Sequence, residues 1–151
     1  PTPTNTPRPT KTSTATPTFT PSPIPPPPTV PPPPLYAVAS IQTEANCSVL
    51  RVKGRVFDSS GIPLSGVVMQ VGEAGVAGSV FNTAPTDANG RYVWDFGGPD
   101  DRAHTWFVVP LENGQPAVDR FEFTTDSSDV CDVTAAVQIQ TVDWRRRPDL
   151  Q

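Results

Sequence analysis

The chain has 151 residues, 36% hydrophobic and 17% charged, with a formal net charge of −4 and 21 prolines, two cysteines and one histidine. Such a balance lacks the basic face expected of a nucleic-acid binder, and no apolar run approaches the ~18 residues that span a bilayer. No secretory leader or initiator methionine stands at the start, so the chain reads as a processed or truncated product.

Residues 1–34 hold 15 of the prolines, ten threonines, Ser13 and Ser22, with no glycine and no acid. Each proline removes a backbone donor and fixes φ, and the segment has almost nothing apolar to bury, so it is not expected to fold alone. A polyproline II rod is expected, which at ~3.1 Å per residue would reach roughly 105 Å. Proline interleaved with hydroxyls is also the composition of O-glycosylated stalks. Thr2, Thr4, Thr6, Thr10, Thr12, Thr14, Thr16, Thr18, Thr20 and Thr29 are the candidate acceptors. The only charges are Arg8 and Lys11, so the remaining domain, residues 35–151, carries −6.

From Tyr36 onward the apolar residues recur with period two, and turn signals come every 8–12 residues, which predicts an all-β sandwich. Leu35–Thr43 is the first candidate strand, with Leu35, Ala37, Ala39 and Ile41 expected as one core-facing row. Within Ser48–Phe57, Leu50, Val52 and Val56 share a face. Asp58-Ser59-Ser60-Gly61 turns into Leu64–Gly72, and Val76–Thr83 is a weaker strand. Asp87-Ala88-Asn89-Gly90 is read as a tight hairpin leading to Arg91–Phe96, where Tyr92, Trp94 and Phe96 share a face. Ala103–Val109 is apolar on both faces, as in a central strand. Glu112-Asn113-Gly114 turns into Ala117–Thr124, with Phe121 and Phe123 inward. The last strand is expected over Val133–Trp144, with a phase change near Val142 that suggests a bulge. No stretch shows helical periodicity. The expected fold is a seven- to eight-stranded sandwich behind an extended arm.

Cys47 and Cys131 sit near opposite ends of the domain. In a chain with a Pro/Thr-rich arm, one such pair reads as a disulfide of an exported protein. Closing ~85 residues contributes about 4–5 kcal/mol in the chain-entropy account. Two buried free thiols are the other reading. Two thiols and one distant histidine match no zinc spacing.

Little else suggests chemistry. His104, the single histidine, lies two residues from Trp106 on an apolar strand and reads as structural. Asp100 and Asp101 fall in a turn, and Asp126, Asp129 and Asp132 lack the loop glycine and closing glutamate of a calcium site. No catalytic residue, metal or cofactor is expected, and the chain is not expected to be an enzyme. Asn46-Cys47-Ser48 fits the N-glycosylation pattern at Asn46.

Val52-Lys53-Gly54-Arg55-Val56-Phe57-Asp58, Gly61-Ile62-Pro63-Leu64-Ser65-Gly66-Val67 and Thr86-Asp87-Ala88-Asn89-Gly90-Arg91-Tyr92 together resemble the carboxypeptidase regulatory-like domain. The resemblance covers about residues 50–96. It implies a transthyretin-like, Ig-like β-sandwich in an accessory or structural role, of the kind found behind Pro/Thr stalks in bacterial surface proteins.

The expectation for function is a structural subunit of an extracellular, pilus-like surface filament, whose partners are copies of itself and covalent glycans. Head-to-tail contacts that do not close generate a helical homopolymer. The strand at residues 35–45, with Leu35, Tyr36, Ala37, Val38, Ala39 and Ile41, either completes its own domain or pairs along a neighbour's open edge. Arg145, Arg146 and Arg147 are candidates to dock on a neighbour's carboxylates. The alternative is a stalked module that binds carbohydrate or cell wall, with Trp94, Trp106 and Trp144 as the platforms to test.

Overall fold

The computed structural model describes residues 1–15, 24–28 and 33–148. The chain divides into two units, 1–31 and 32–151. In the first, the described residues form no helix or strand and are exposed. Thr2, Thr4, Thr6, Thr10, Thr12 and Thr14 belong to this exposed set, whereas Thr16, Thr18, Thr20 and Thr29 lie outside the described residues.

The second unit is an all-β sandwich of two sheets. Its strands are β1 (Tyr36–Glu44), β2 (Leu50–Phe57), β3 (Met69–Glu73), β4 (Val80–Asn82), β5 (Arg91–Gly97), β6 (His104–Glu112), β7 (Gln115–Pro116), β8 (Phe121–Thr125) and β9 (Ile139–Arg146). One sheet runs β1-β9-β2-β5; in the other, β4 pairs β3, β3 pairs β6, and β6 also pairs β7 and β8. Among the described residues only β2 and β9 run parallel; the remaining ladders are antiparallel.

The core is the set of inward faces that alternation selects. Leu50, Val52 and Val56 from β2, Tyr92 from β5, and Val142 and Trp144 from β9 meet Met69, Val71, Trp106, Val108 and Phe123 of the opposite sheet. β6 is buried on both faces from Trp106 to Pro110, as its unbroken apolar run predicts. Phe96 stacks on Trp106 with ring centroids 4.0 Å apart. Gly54 is required by a close approach: a Cβ there would stand 1.9 Å from the Val142 carbonyl oxygen. The Tyr92 hydroxyl donates to that same oxygen at 2.7 Å.

Four expectations change. The row Leu35, Ala37, Ala39, Ile41 is not the inward one. Tyr36, Val38, Ile41 and Thr43 stand opposite Arg146, Trp144, Val142 and Gln140, with a register shift between Val38 and Ser40. Residues opposed in an antiparallel pair share a face, and the extra residue inverts the alternation beyond it. At the far end, Val133–Val137 is not strand. β9 begins at Ile139 with Gln140, Val142 and Trp144 in one phase, so the expected phase change reflects two different segments. The early part of Val76–Thr83 is turn, leaving a three-residue β4.

The fourth concerns turns. Asn89-Gly90 does not close a hairpin, because β4 and β5 lie in different sheets. There Asp87 Oδ1 accepts the N–H groups of Asn89 and Arg91, and Gly90 takes φ 70°. Asp58 Oδ1 does the same for Ser60 and Ile62, with Gly61 at φ 87°. The tight hairpin is Asn113-Gly114, where φ is 52° and 75° and a two-residue loop joins β6 to β7. Positive φ at both loop positions matches the twist of paired strands.

Candidate functional site

The residues singled out for an interface converge on β1 and its ladder with β9. β1 is an edge strand: among the described residues β9 is its one sheet neighbour. Within this chain it pairs in cis, from Tyr36 opposite Arg146 to Glu44 opposite Ile139. Leu35 continues the attachment, donating to the Ala117 carbonyl at 3.1 Å and accepting from Arg147 N at 2.7 Å. The Ser40 hydroxyl donates to Asp143 Oδ2 at 2.8 Å, and Gln140 Nε2 donates to the Gln42 carbonyl at 2.9 Å.

Side-chain burial along β1 is uneven. Tyr36 is 1% exposed, whereas Val38 and Ile41 are 37% and 50% exposed. Tyr36 donates through its hydroxyl to Glu112 Oε2 at 3.3 Å, and Arg146 donates to Glu112 Oε1 at 3.1 Å. Burial, reinforced by the neighbouring Glu112 charge, pushes the Tyr36 phenol up to about 12. Glu112 thus clamps β1 and β9 to the opposite sheet. Of the three arginines expected to dock on a neighbour, Arg146 donates to Glu112 within this chain, while Arg145 and Arg147 are exposed.

Cys47 and Cys131 form a disulfide with Cα atoms 4.9 Å apart, closing a loop of 84 residues in sequence separation. β1 precedes Cys47 and lies outside that loop. Asn46 caps the turn at the bridge, its Oδ1 accepting from Ser48 N at 2.8 Å and Val49 N at 3.0 Å. This local role explains an asparagine at the position without a glycan.

His104 is 11% exposed and sits between two carboxylates, Nδ1 at 2.8 Å from Glu73 Oε1 and Nε2 at 3.0 Å from Asp100 Oδ1. The hydrogen bond to Glu73, then that to Asp100, raises its pKa above the usual imidazole value despite burial. Both ring nitrogens are thereby engaged by carboxylates. The ring links β3, β6 and the 98–103 loop. Sequence reasoning missed this clasp because Glu73 is 31 positions away.

Asp126 Oδ2 accepts from Val137 N at 2.8 Å, and Asp129 accepts from the Ser127 hydroxyl. Among the described residues no cluster of histidine, cysteine and acidic side chains is placed to hold a metal ion. Of the three tryptophans, Trp106 and Trp144 are core, and Trp94 packs partly buried with its ring 5.5 Å from Phe81. No helix among the described residues is long and apolar enough to cross a membrane.

One further feature was not anticipated. An open depression of about 540 Å³ is lined by Lys53, Gly54 and Arg55 of β2, Arg91, Tyr92 and Val93 of β5, Thr141 of β9, and Ala84, Pro85 and Asp87.

No family model matches this chain. No curated protein matches it either. Among solved structures it is similar to chlorocatechol 1,2-dioxygenase from Pseudomonas putida, at 13% identity and a TM-score of 0.40, over 69% of this chain and 62% of that one. The chain therefore spans less than two thirds of that dioxygenase. It is also similar to the dioxygenase domain of a dioxygenase carbohydrate-binding protein fusion from Streptomyces sp. SirexAA-E, at 16% identity and a TM-score of 0.38, over 71% of this chain and 83% of that one. Both neighbours are enzymes, and on that finding the expectation of a non-enzyme is withdrawn. Likeness at this level transfers no activity and no site residue.

Proposed function

We propose that this chain is a structural subunit of an extracellular bacterial surface filament, in which β1 of one copy completes the sheet of the next. The observation that carries the reading is the position of β1: an edge strand, outside the loop closed by Cys47 and Cys131, with one fully buried side chain, Tyr36. Releasing it leaves the disulfide-closed body and most of the core in place. The backbone ladder to β9 is the same whether the strand comes from its own copy or another, which is the basis of strand exchange. The Pro/Thr-rich segment that leads into β1 supports an extended connector between copies. The disulfide fits an oxidising compartment, and the resemblance to carboxypeptidase regulatory-like domains of surface proteins points the same way.

The test uses Gln42 and Thr141, which face each other across the β1–β9 ladder. Gln42→Cys in one batch and Thr141→Cys in another are mixed and oxidised. Exchange yields a disulfide between the two variants and, for the parent chain, uniform fibres by electron microscopy. Monomers that never cross-link defeat the proposal, as does fibre formation by a chain lacking residues 1–45.

A further inference from the structure

The depression on β2, β5 and β9 combines features that a merely solvated sheet face does not need. Arg55 and Arg91 stand directly opposite each other in the β2–β5 ladder. Like charges at opposed positions of an antiparallel pair are destabilising, so this pairing raises the local potential. Among the described residues neither guanidinium forms a salt bridge, whereas Arg51, Lys53, Arg102, Arg120 and Arg146 each do. Lys53, paired with Glu44 at 2.8 Å, adds a third cation to the lining, and Asp87 is the one acid there.

Asp87 offsets part of this charge: its carboxyl is held below the usual range by the Arg91 N–H first, with the Arg91 and Arg55 charges adding to the effect. Its Oδ1 is held by the N–H groups of Asn89 and Arg91. The nearby Asp143 is likewise committed, Oδ1 to Arg55 N at 2.8 Å and Oδ2 to Ser40. Between the cations lie Ala84, Pro85 and Val93, the last 54% exposed. The surface is therefore an apolar patch bordered by two guanidiniums that form no salt bridge and outnumber the one carboxylate beside them, on a domain that is −6 as a whole.

We infer that this depression binds a carboxylate-bearing polysaccharide, with Arg55 and Arg91 holding uronate groups and the Pro85–Val93 patch carrying the sugar rings. The volume falls within the ~300–1,000 Å³ of ligand sites. Guanidinium pairs with carboxylate in two parallel hydrogen bonds, a planar match that a lysine lacks. The C–H face of a pyranose suits an exposed valine and proline, which a bare phosphate chain does not use. The inference stands without strand exchange and uses none of the tryptophans.

The experiment is titration calorimetry of the full chain with tetragalacturonate, its methyl ester and short polyglutamate. Tetragalacturonate is expected to bind, more weakly as salt rises, while the ester and polyglutamate bind far less. Arg55→Gln and Arg91→Gln should each weaken binding about tenfold, equivalent to ~1.4 kcal/mol, with melting temperatures no lower than the parent's, since each removes a like-charge opposition. Arg145→Gln, an exposed cation on β9 outside the depression, should leave binding unaltered. Absence of tetragalacturonate binding, equal binding of the ester, or insensitivity to both arginine changes overturns the proposal. Equal binding of polyglutamate overturns it in favour of an acidic peptide.

Discussion

The Tyr92 hydroxyl reaches the Val142 carbonyl oxygen across the α-carbon of Gly54. One sheet thereby receives a tyrosine ring where a side chain would otherwise stand, and the phenol, fully desolvated, is pushed well above its usual range. Gly54→Ala must displace backbone, not a flexible side chain, and is expected to destabilise by roughly 1–3 kcal/mol or more. Tyr92→Phe keeps the ring and should cost about 0.5–1.5 kcal/mol. Urea unfolding of the two variants checks the order; a Gly54→Ala chain as stable as the parent would contradict the close approach.

Removing the disulfide with Cys47→Ser and Cys131→Ser is expected to lower global stability by about 2–5 kcal/mol. Opening of β1 should be unaffected, because that strand is not within the closed loop. Amide hydrogen exchange separates the two: protection of Ile41 and Thr43 falling in step with the rest of the domain would show that β1 is not an independent unit.

Tyr36 is the one deep anchor of β1. Tyr36→Ala is expected to cost about 3–5 kcal/mol, as for large aromatic truncations, and to loosen β1 first. Tyr36→Phe should cost no more than about 1 kcal/mol, since the bond to Glu112 is 3.3 Å. Exchange rates of β1 amides that respond equally to both changes would rule out packing as the main attachment.

The His104 clasp gives a pH dependence of definite sign. Its folded pKa is raised, so its stabilisation is complete below the ordinary imidazole value of about 6.5 and fades as pH climbs through the folded one. Asp100, held low by the Arg102 N–H and by His104, works the other way and weakens as pH falls through the carboxylate range. The domain should be most stable between these windows. His104→Asn should flatten the alkaline-side decline in melting temperature; an unchanged profile would assign it elsewhere.

Legibility in the sequence followed locality. β2 could be read from Leu50, Val52 and Val56 because polar residues fill the alternate positions. β1 could not be phased correctly, because its bulge depends on pairing with a strand about a hundred positions away. Asn89-Gly90 and Asn113-Gly114 are the same dipeptide, and only the placement of their flanking strands in one sheet or two decides which is a hairpin. The candidate sites show the same divide. The cysteine pairing was readable from count and spacing, whereas Glu112 beneath Tyr36 and Arg146, and the opposed Arg55 and Arg91, arise from register.

Tyr36 and Arg146 are paired rungs at the same end of their ladder. A pull that enters through Leu35 and leaves through Arg147 therefore peels β1 and β9 apart rung by rung, the weakest direction in which to load such a pair. Cys47 halts the peeling at its base, since beyond it the chain is covalently stapled. Under tension the strand would act as a sacrificial link, yielding its length while the body it leaves stays intact.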